Sequence, residues 1–153
     1  HDDMVVFRDR AGGFRQACAA HGIPASAAVV IEGDTDRRGG MACLDAALAL
    51  PQPPTAALCF NDAVAFGAML ALRKRGMEPG RDFAVVGFDD VVEAAHYVPA
   101  LTSVAVDTGG LGERAAQLLL RLIQSGTTRA ENHVGAVKLM VRESCGPVKE
   151  DLR

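Results

Sequence analysis

Three apolar runs in this chain each end in a pair of polar residues: Asp34-Thr35, Asn61-Asp62 and Asp89-Asp90. Carboxylates accept from paired hydroxyls, an amide both donates and accepts, and an arginine donates in a fixed fork. Arg8 and Arg10 lie near the start of the first helical pattern and can supply that fork. If the three runs are strands of one parallel sheet, the pairs reach a common edge, where open α/β sheets bind their ligands. The three pairs, with Arg8 or Arg10, suit a small polyhydroxylated guest. For each residue singly, a helix cap or a solvated side chain is the alternative; for the set, binding is the better reading. Asp89-Asp90 could also hold Mg²⁺, but no third carboxylate is identifiable, so neither metal nor cofactor is expected. The chain has no G-x-S-x-G elbow, no P-loop and no G-x-G-x-x-G after a strand, which argues against an enzyme.

The elements that must position these residues are legible from periodicity. Phe7, Ala11, Phe14 and Cys18 recur at helical spacing, with Gly22 and Pro24 as a stop. An α/β domain usually places a strand ahead of such a helix, so an upstream part is expected to precede it. A strand is predicted from about Ala27 to Ile31, then a helix capped by Asp34 or Thr35 with Met41, Leu44 and Leu48 on one face, ended by Pro51, Pro53 and Pro54. T-A-A-L-C-F reads as a buried strand, and Asn61 as the cap of a helix that runs to about Arg75 and stops at Gly76. That helix is apolar on nearly every side, so it needs cover from the sheet and from a second partner, with a subunit interface favoured over its own chain.

Phe83 to Phe88 is a further buried-type strand, followed by a short helical turn and a loop around Pro99. Then come a strand over T-S-V-A-V-D and a helix from Asp107 or Thr108 to Gly126, lined by Leu111, Ala115, Leu118 and Leu122. A last strand falls at roughly Gly135 to Val141, before a loose tail. Strands and helices alternating at this spacing imply a parallel sheet with helices on both faces. The glycine pairs Gly12-Gly13, Gly39-Gly40 and Gly109-Gly110 lie within or at the start of helices and are expected to permit close packing rather than to cradle phosphate.

Composition narrows the classes. The 153 residues are 49% hydrophobic and 23% charged with a net charge of −3, which fits one folded domain and offers no basic face for a phosphate backbone. No apolar run is long enough to span a bilayer, and the first residues lack the order of a signal peptide. Cys18, Cys43, Cys59 and Cys145 are scattered without metal spacing, which suggests buried free thiols in a reducing, cytoplasmic compartment.

The segments R-D-R-A-G-G-F (8–14), P-T-A-A-L-C-F-N-D-A-V-A-F-G (54–67), F-A-V-V-G-F-D-D (83–90), P-A-L-T-S-V (99–104) and V-R-E-S-C (141–145) together resemble the effector-binding domain of LacI/GalR transcription regulators. The resemblance implies a periplasmic-binding-protein-like α/β fold of two lobes, with effector, most often a sugar, held between them. It implies effector contacts from Arg10, Asn61 and Asp89; Thr35 stands where relatives often carry a stacking aromatic ring. It also implies a homodimer surface at Phe66, Met69, His96 and Tyr97. Residues 1–100 would be the C-terminal lobe without its first strand, 101–128 a crossover strand and helix of the other lobe, and 129–153 the return strand and tail. The expected function is the effector-binding and dimerising part of a repressor, with operator DNA reached only through an N-terminal domain outside this sequence. A solute receptor of a transport system shares the fold and is the alternative; an enzyme on this fold ranks third.

Overall fold

A computed structural model describes residues 5–126 and 132–147, so the loop and tail expectations beyond Gly126 and Pro147 fall partly outside the described residues. The centre is one sheet of four strands in the order β1 (Ala56–Leu58), β2 (Ala84–Asp89), β3 (Thr102–Val106) and β4 (Val137–Met140). β1, β2 and β3 are parallel, with Leu58 opposite Val86 and Val86 opposite Thr102; β4 returns antiparallel along β3. The helices are α1 (Val5–Ala20), α2 (Arg37–Leu48), α3 (Asp62–Lys74), α4 (Val92–His96) and α5 (Thr108–Ser125), and a 3-10 turn spans Glu143–Cys145.

The core is built on α3. Val64, Ala65, Phe66, Ala68, Met69, Ala71 and Leu72 are buried against Leu44 of α2, Phe83 and Val85 of the β2 strand region, Ala94 of α4 and Leu101. Gly40 of α2 and Gly67 of α3 bring the two helices into backbone contact: a Cβ on Gly40 would run into the Val64 carbonyl, and one on Gly67 into that of Arg37. Most of the apolar surface of α3 is thus covered within its own chain, while Leu70 stays exposed. Phe66 is 2% exposed and Met69 fully buried, so neither offers the dimer surface expected of them. Close packing rather than phosphate binding is the role of Gly39-Gly40, whereas nothing approaches Gly12 or Gly13.

Other expectations are corrected. The run Ala27 to Ile31 joins no strand, because a β-run needs a neighbour to satisfy its amides and none pairs with it among the described residues. β1 is a short edge strand rather than a buried one; Leu58 is half exposed. The cap of α2 is Asp36, whose Oδ1 accepts from the Gly39 N–H at 2.8 Å, and not Asp34 or Thr35. Asn61 caps α3 as expected, accepting from the Val64 N–H at 2.8 Å. Asp107 caps α5, which ends at left-handed Gly126. No residue of α5 is buried: Leu111, Leu118 and Leu122 are half covered, and Leu119, Leu120 and Ile123 are exposed.

All four cysteines are free, and Cys18 and Cys59 are buried. Burial, with smaller contributions from Cys43 and Asp62, pushes the Cys59 thiol up to about 12. The thiolate is the reactive form. Cys59 is therefore expected to resist iodoacetamide at pH 8 in the folded protein and to react once urea unfolds it, as mass spectrometry of the labelled peptide would read. Labelling at the rate of a free thiol in the native state would contradict the packing around it.

Candidate functional site

The carboxyl ends of β1 and β2 lie side by side because the strands are parallel, and α1 passes across this edge. Arg10 of α1 is the hub. Its guanidinium donates to the Phe60 carbonyl just before Asn61, and its Nη2 stands 3.9 Å from Asp89 Oδ1. Its Cζ lies 3.7 Å from the centre of the Phe88 ring and 4.6 Å from that of Phe60, so the cation packs against two aromatic rings. Burial lowers the Arg10 pKa and Asp89 opposes the shift.

Asn61 joins the third segment: its Nδ2 donates to the Thr35 carbonyl at 3.0 Å while its Oδ1 caps α3. Thr35 is thus at the rim, with an exposed side chain, and takes part through its main chain. Asp89 is the last residue of β2 and keeps 43% of its side chain exposed. Burial pushes its carboxyl up, Arg10 pulls it down, and Asp62 adds to the rise. The net shift is upward, because partial burial disfavours the ionised carboxylate more than Arg10 favours it.

Arg10, Thr35, Asn61 and Asp89 are therefore brought to one rim: parallel pairing of β1 and β2 accounts for Asn61 and Asp89, whereas Arg10 comes from α1 and Thr35 follows a run that joins no strand. Arg8 is not. Two residues on a helix are roughly 200° apart around its axis, and Arg8 lines a separate hollow of about 400 Å³ with Phe7, Ala11, Arg15, Val30 and Glu32. Asp34 packs its main chain against Gly39 and lies close enough to Cys43 to help raise that thiol's pKa.

Asp62 and Asp90 have duties that spacing does not reveal. Asp62 is 1% exposed; its Oδ1 accepts from Ser103 Oγ at 2.6 Å and its Oδ2 from the Val91 N–H at 2.8 Å. Gly87 makes room for it, since a Cβ there would strike Oδ1. Asp90 neither caps a turn nor faces water: it pairs with Arg142 at 2.7 Å. Only the missing Cβ of Gly87 hints at Asp62 in the sequence. Among the described residues no group of three or more histidine, cysteine or acidic side chains is placed to hold a metal ion.

Of the residues expected at a dimer surface, His96 is exposed and Tyr97 is half buried, its ring stacked on Phe66 at 4.6 Å. Leu70, Val92 and Val98 are the exposed apolar side chains of α3, α4 and the loop that follows.

The arrangement has counterparts. The family of periplasmic binding protein-like domains matches residues 2–145. "Probable HTH-type transcriptional repressor ExuR" of Bacillus subtilis (strain 168) is 35% identical, over 94% of this chain and 46% of its own length. Among solved structures, the transcriptional regulator CelR–cellobiose complex superposes with a TM-score of 0.87 at 34% identity, covering 94% of this chain and 44% of that one. The Lac repressor dimer bound to operator and the anti-inducer ONPF gives 0.82 at 31%, covering 94% and 42%. The chain spans less than half the length of these relatives. With the family matched along nearly the whole chain and the fold shared with these regulators, the chain belongs to the periplasmic binding protein-like domain family, in the form that LacI-type transcription regulators use to bind effector.

Proposed function

We propose that this chain is the effector-binding part of a LacI-type transcription repressor, and that Arg10, Asn61 and Asp89 grasp a sugar-like effector at the carboxyl edge of the sheet. The observation that carries the reading is the Arg10–Asp89 pair at that edge, with Asn61 tied to Thr35 beside it. A fork of donors facing a carboxylate can span neighbouring hydroxyls of one guest, each accepting from one side and donating to the other. No nucleophile-and-base pair is needed for this: the chain binds and does not turn over its guest. The cellobiose held by the CelR relative supports a carbohydrate.

In the longer protein, α5 with Leu119, Leu120 and Ile123 would pack on the other lobe. Leu70, His96, Tyr97 and Val98 would meet a second copy, as the dimeric Lac repressor relative suggests. Operator DNA would be reached only through an N-terminal head, in the cytoplasm, and effector would bias a two-state dimer between DNA-binding and DNA-free forms.

Calorimetry on the full-length protein with D-ribose, D-glucose, D-galactose, D-glucuronate and cellobiose tests the site. Asp89→Asn is expected to weaken the best ligand about tenfold to a hundredfold, as loss of a charge-assisted hydrogen bond does. Its effect on the ligand-free fold has the opposite sign. The folded-state pKa of Asp89 is raised, so its contribution to stability is fully present below the unfolded pKa and is lost as pH rises through the folded one. At neutral pH the neutral amide therefore leaves the ligand-free domain as stable as before or more so. Unchanged affinity in Asp89→Asn removes that residue from the site.

A further inference from the structure

The segment V-R-E-S-C places its arginine behind the effector rim rather than in it. Arg142 follows β4, and its Nη1 donates to Asp90 Oδ1 at 2.7 Å and to the Leu101 carbonyl at 2.6 Å. Its own N–H donates to Thr102 Oγ1 at 2.8 Å, and two residues on Ser144 Oγ donates to the Val85 carbonyl at 2.6 Å. The Arg142–Asp90 pair is largely withdrawn from water, at 18% and 16% side-chain exposure. What the pair grips is an unusual turn: Asp89 has φ 105° and Asp90 φ 53°, consecutive residues in the region that favours glycine, and neither is glycine. Such a backbone persists only where its surroundings over-determine it. Three anchors do so here. The Asp90 N–H donates to Ser103 Oγ at 3.1 Å, the Val91 N–H donates to Asp62, and the Asp90 carboxylate is held by Arg142.

We propose that Arg142 is a positioning residue for effector binding: by clamping Asp90 it holds the left-handed turn that aims the Asp89 carboxylate at Arg10, and so ties the affinity of the site to the seating of the returning strand β4. This rests on the effector site proposed above. The bonds of Arg142 run to Asp90, Leu101 and Thr102 and not to Arg10, Asn61 or Asp89, so it acts through the turn that carries Asp89. By reciprocity, whatever shifts β4 changes the hold on effector, and effector binding stabilises the seated β4.

The test uses the full-length protein, the same five sugars and hydrogen exchange without ligand. Arg142→Ala is expected to weaken the tightest-binding sugar about tenfold, as a small misplacement of a binding group does, with Arg142→Lys recovering most of the loss. In an Asp89→Ala background, Arg142→Ala should cost no further affinity, which a merely structural role would not produce. Without ligand, the Asp90 amide should exchange faster in Arg142→Ala while the β2 amides stay protected. Wild-type affinity with wild-type Asp90 protection overturns the proposal, as does a full additional loss on the Asp89→Ala background. Should Arg142→Ala fail to fold, Asp90→Asn, which keeps an acceptor but removes the charge, is expected to give a smaller loss with the same non-additivity, and unchanged affinity there overturns it. If none of the sugars binds the wild type, the effector reading fails by itself, and the exchange of the Asp90 amide still decides whether the clamp exists.

Discussion

Asp62→Ala is expected to destabilise the domain by about 3–4 kcal/mol, since it empties a buried site and takes the acceptor from a fully buried hydroxyl and from a backbone N–H at once. The Ser103 hydroxyl is fully buried and gives its proton to Oδ1, and the Val91 N–H gives its proton to Oδ2. Ser103 has no water to turn to, so the full desolvation cost falls on its hydroxyl; Val91 is itself 41% exposed, and its N–H adds less. Asp62→Asn should recover about half, because its Oδ1 still accepts from one donor while its NH₂ is set against the other. Urea unfolding measures both variants. A midpoint for Asp62→Ala equal to that of the wild type would mean that these bonds add nothing to the fold.

Gly67→Ala ranks next, at about 2–4 kcal/mol of destabilisation. In an open helix the same change helps, by roughly 1 kcal/mol, because glycine is the poorer helix former. Here the added carbon would be driven into the backbone of Arg37, and backbone cannot swing aside as a side chain does, so α2 and α3 must part. The control lies in the same protein: nothing approaches Gly13 in α1, so Gly13→Ala should leave stability unchanged or raise it. If the two variants shift the urea midpoint in the same direction and to the same extent, the close approach of α2 to α3 is wrong.

These two residues also mark where sequence reading reaches its limit. Asn61 was legible because capping is local: a polar side chain at the junction of an apolar run and a helical pattern has few other duties. Asp89 was legible for a similar reason, as the last residue of a run that parallel pairing must bring to the ligand edge. Asp62 differs from Asn61 by a single step along the chain, yet it points inward to a serine on a strand that comes much later, and no local pattern announces that. Arg142 stood in a recognisable segment, but its partner is set by how β4 returns along β3.

The misplaced strand at Ala27 to Ile31 fails in the converse way. Its residues have the right propensity, but a strand is a property of a pair. Phe66 and Met69 were placed at a subunit contact by the family resemblance, in agreement with the all-round apolar pattern of α3; both are buried in the chain's own core, with Phe66 stacked on Tyr97. The apolar excess of α3 was legible in the sequence, whereas what covers these two side chains was not.

The packing of Arg10 against the Phe60 and Phe88 rings has a stereochemical consequence for the effector proposed above. The N–H bonds of a guanidinium lie in one plane, and the two rings together with the Phe60 carbonyl fix how that plane is turned, so a guest pairing with Arg10 would come in edge-on and present its acceptors within it. Two neighbouring oxygens splayed above and below could not both be met, which would make the setting of Arg10 a filter for the relative configuration of adjacent hydroxyls even with neither ring touching the guest.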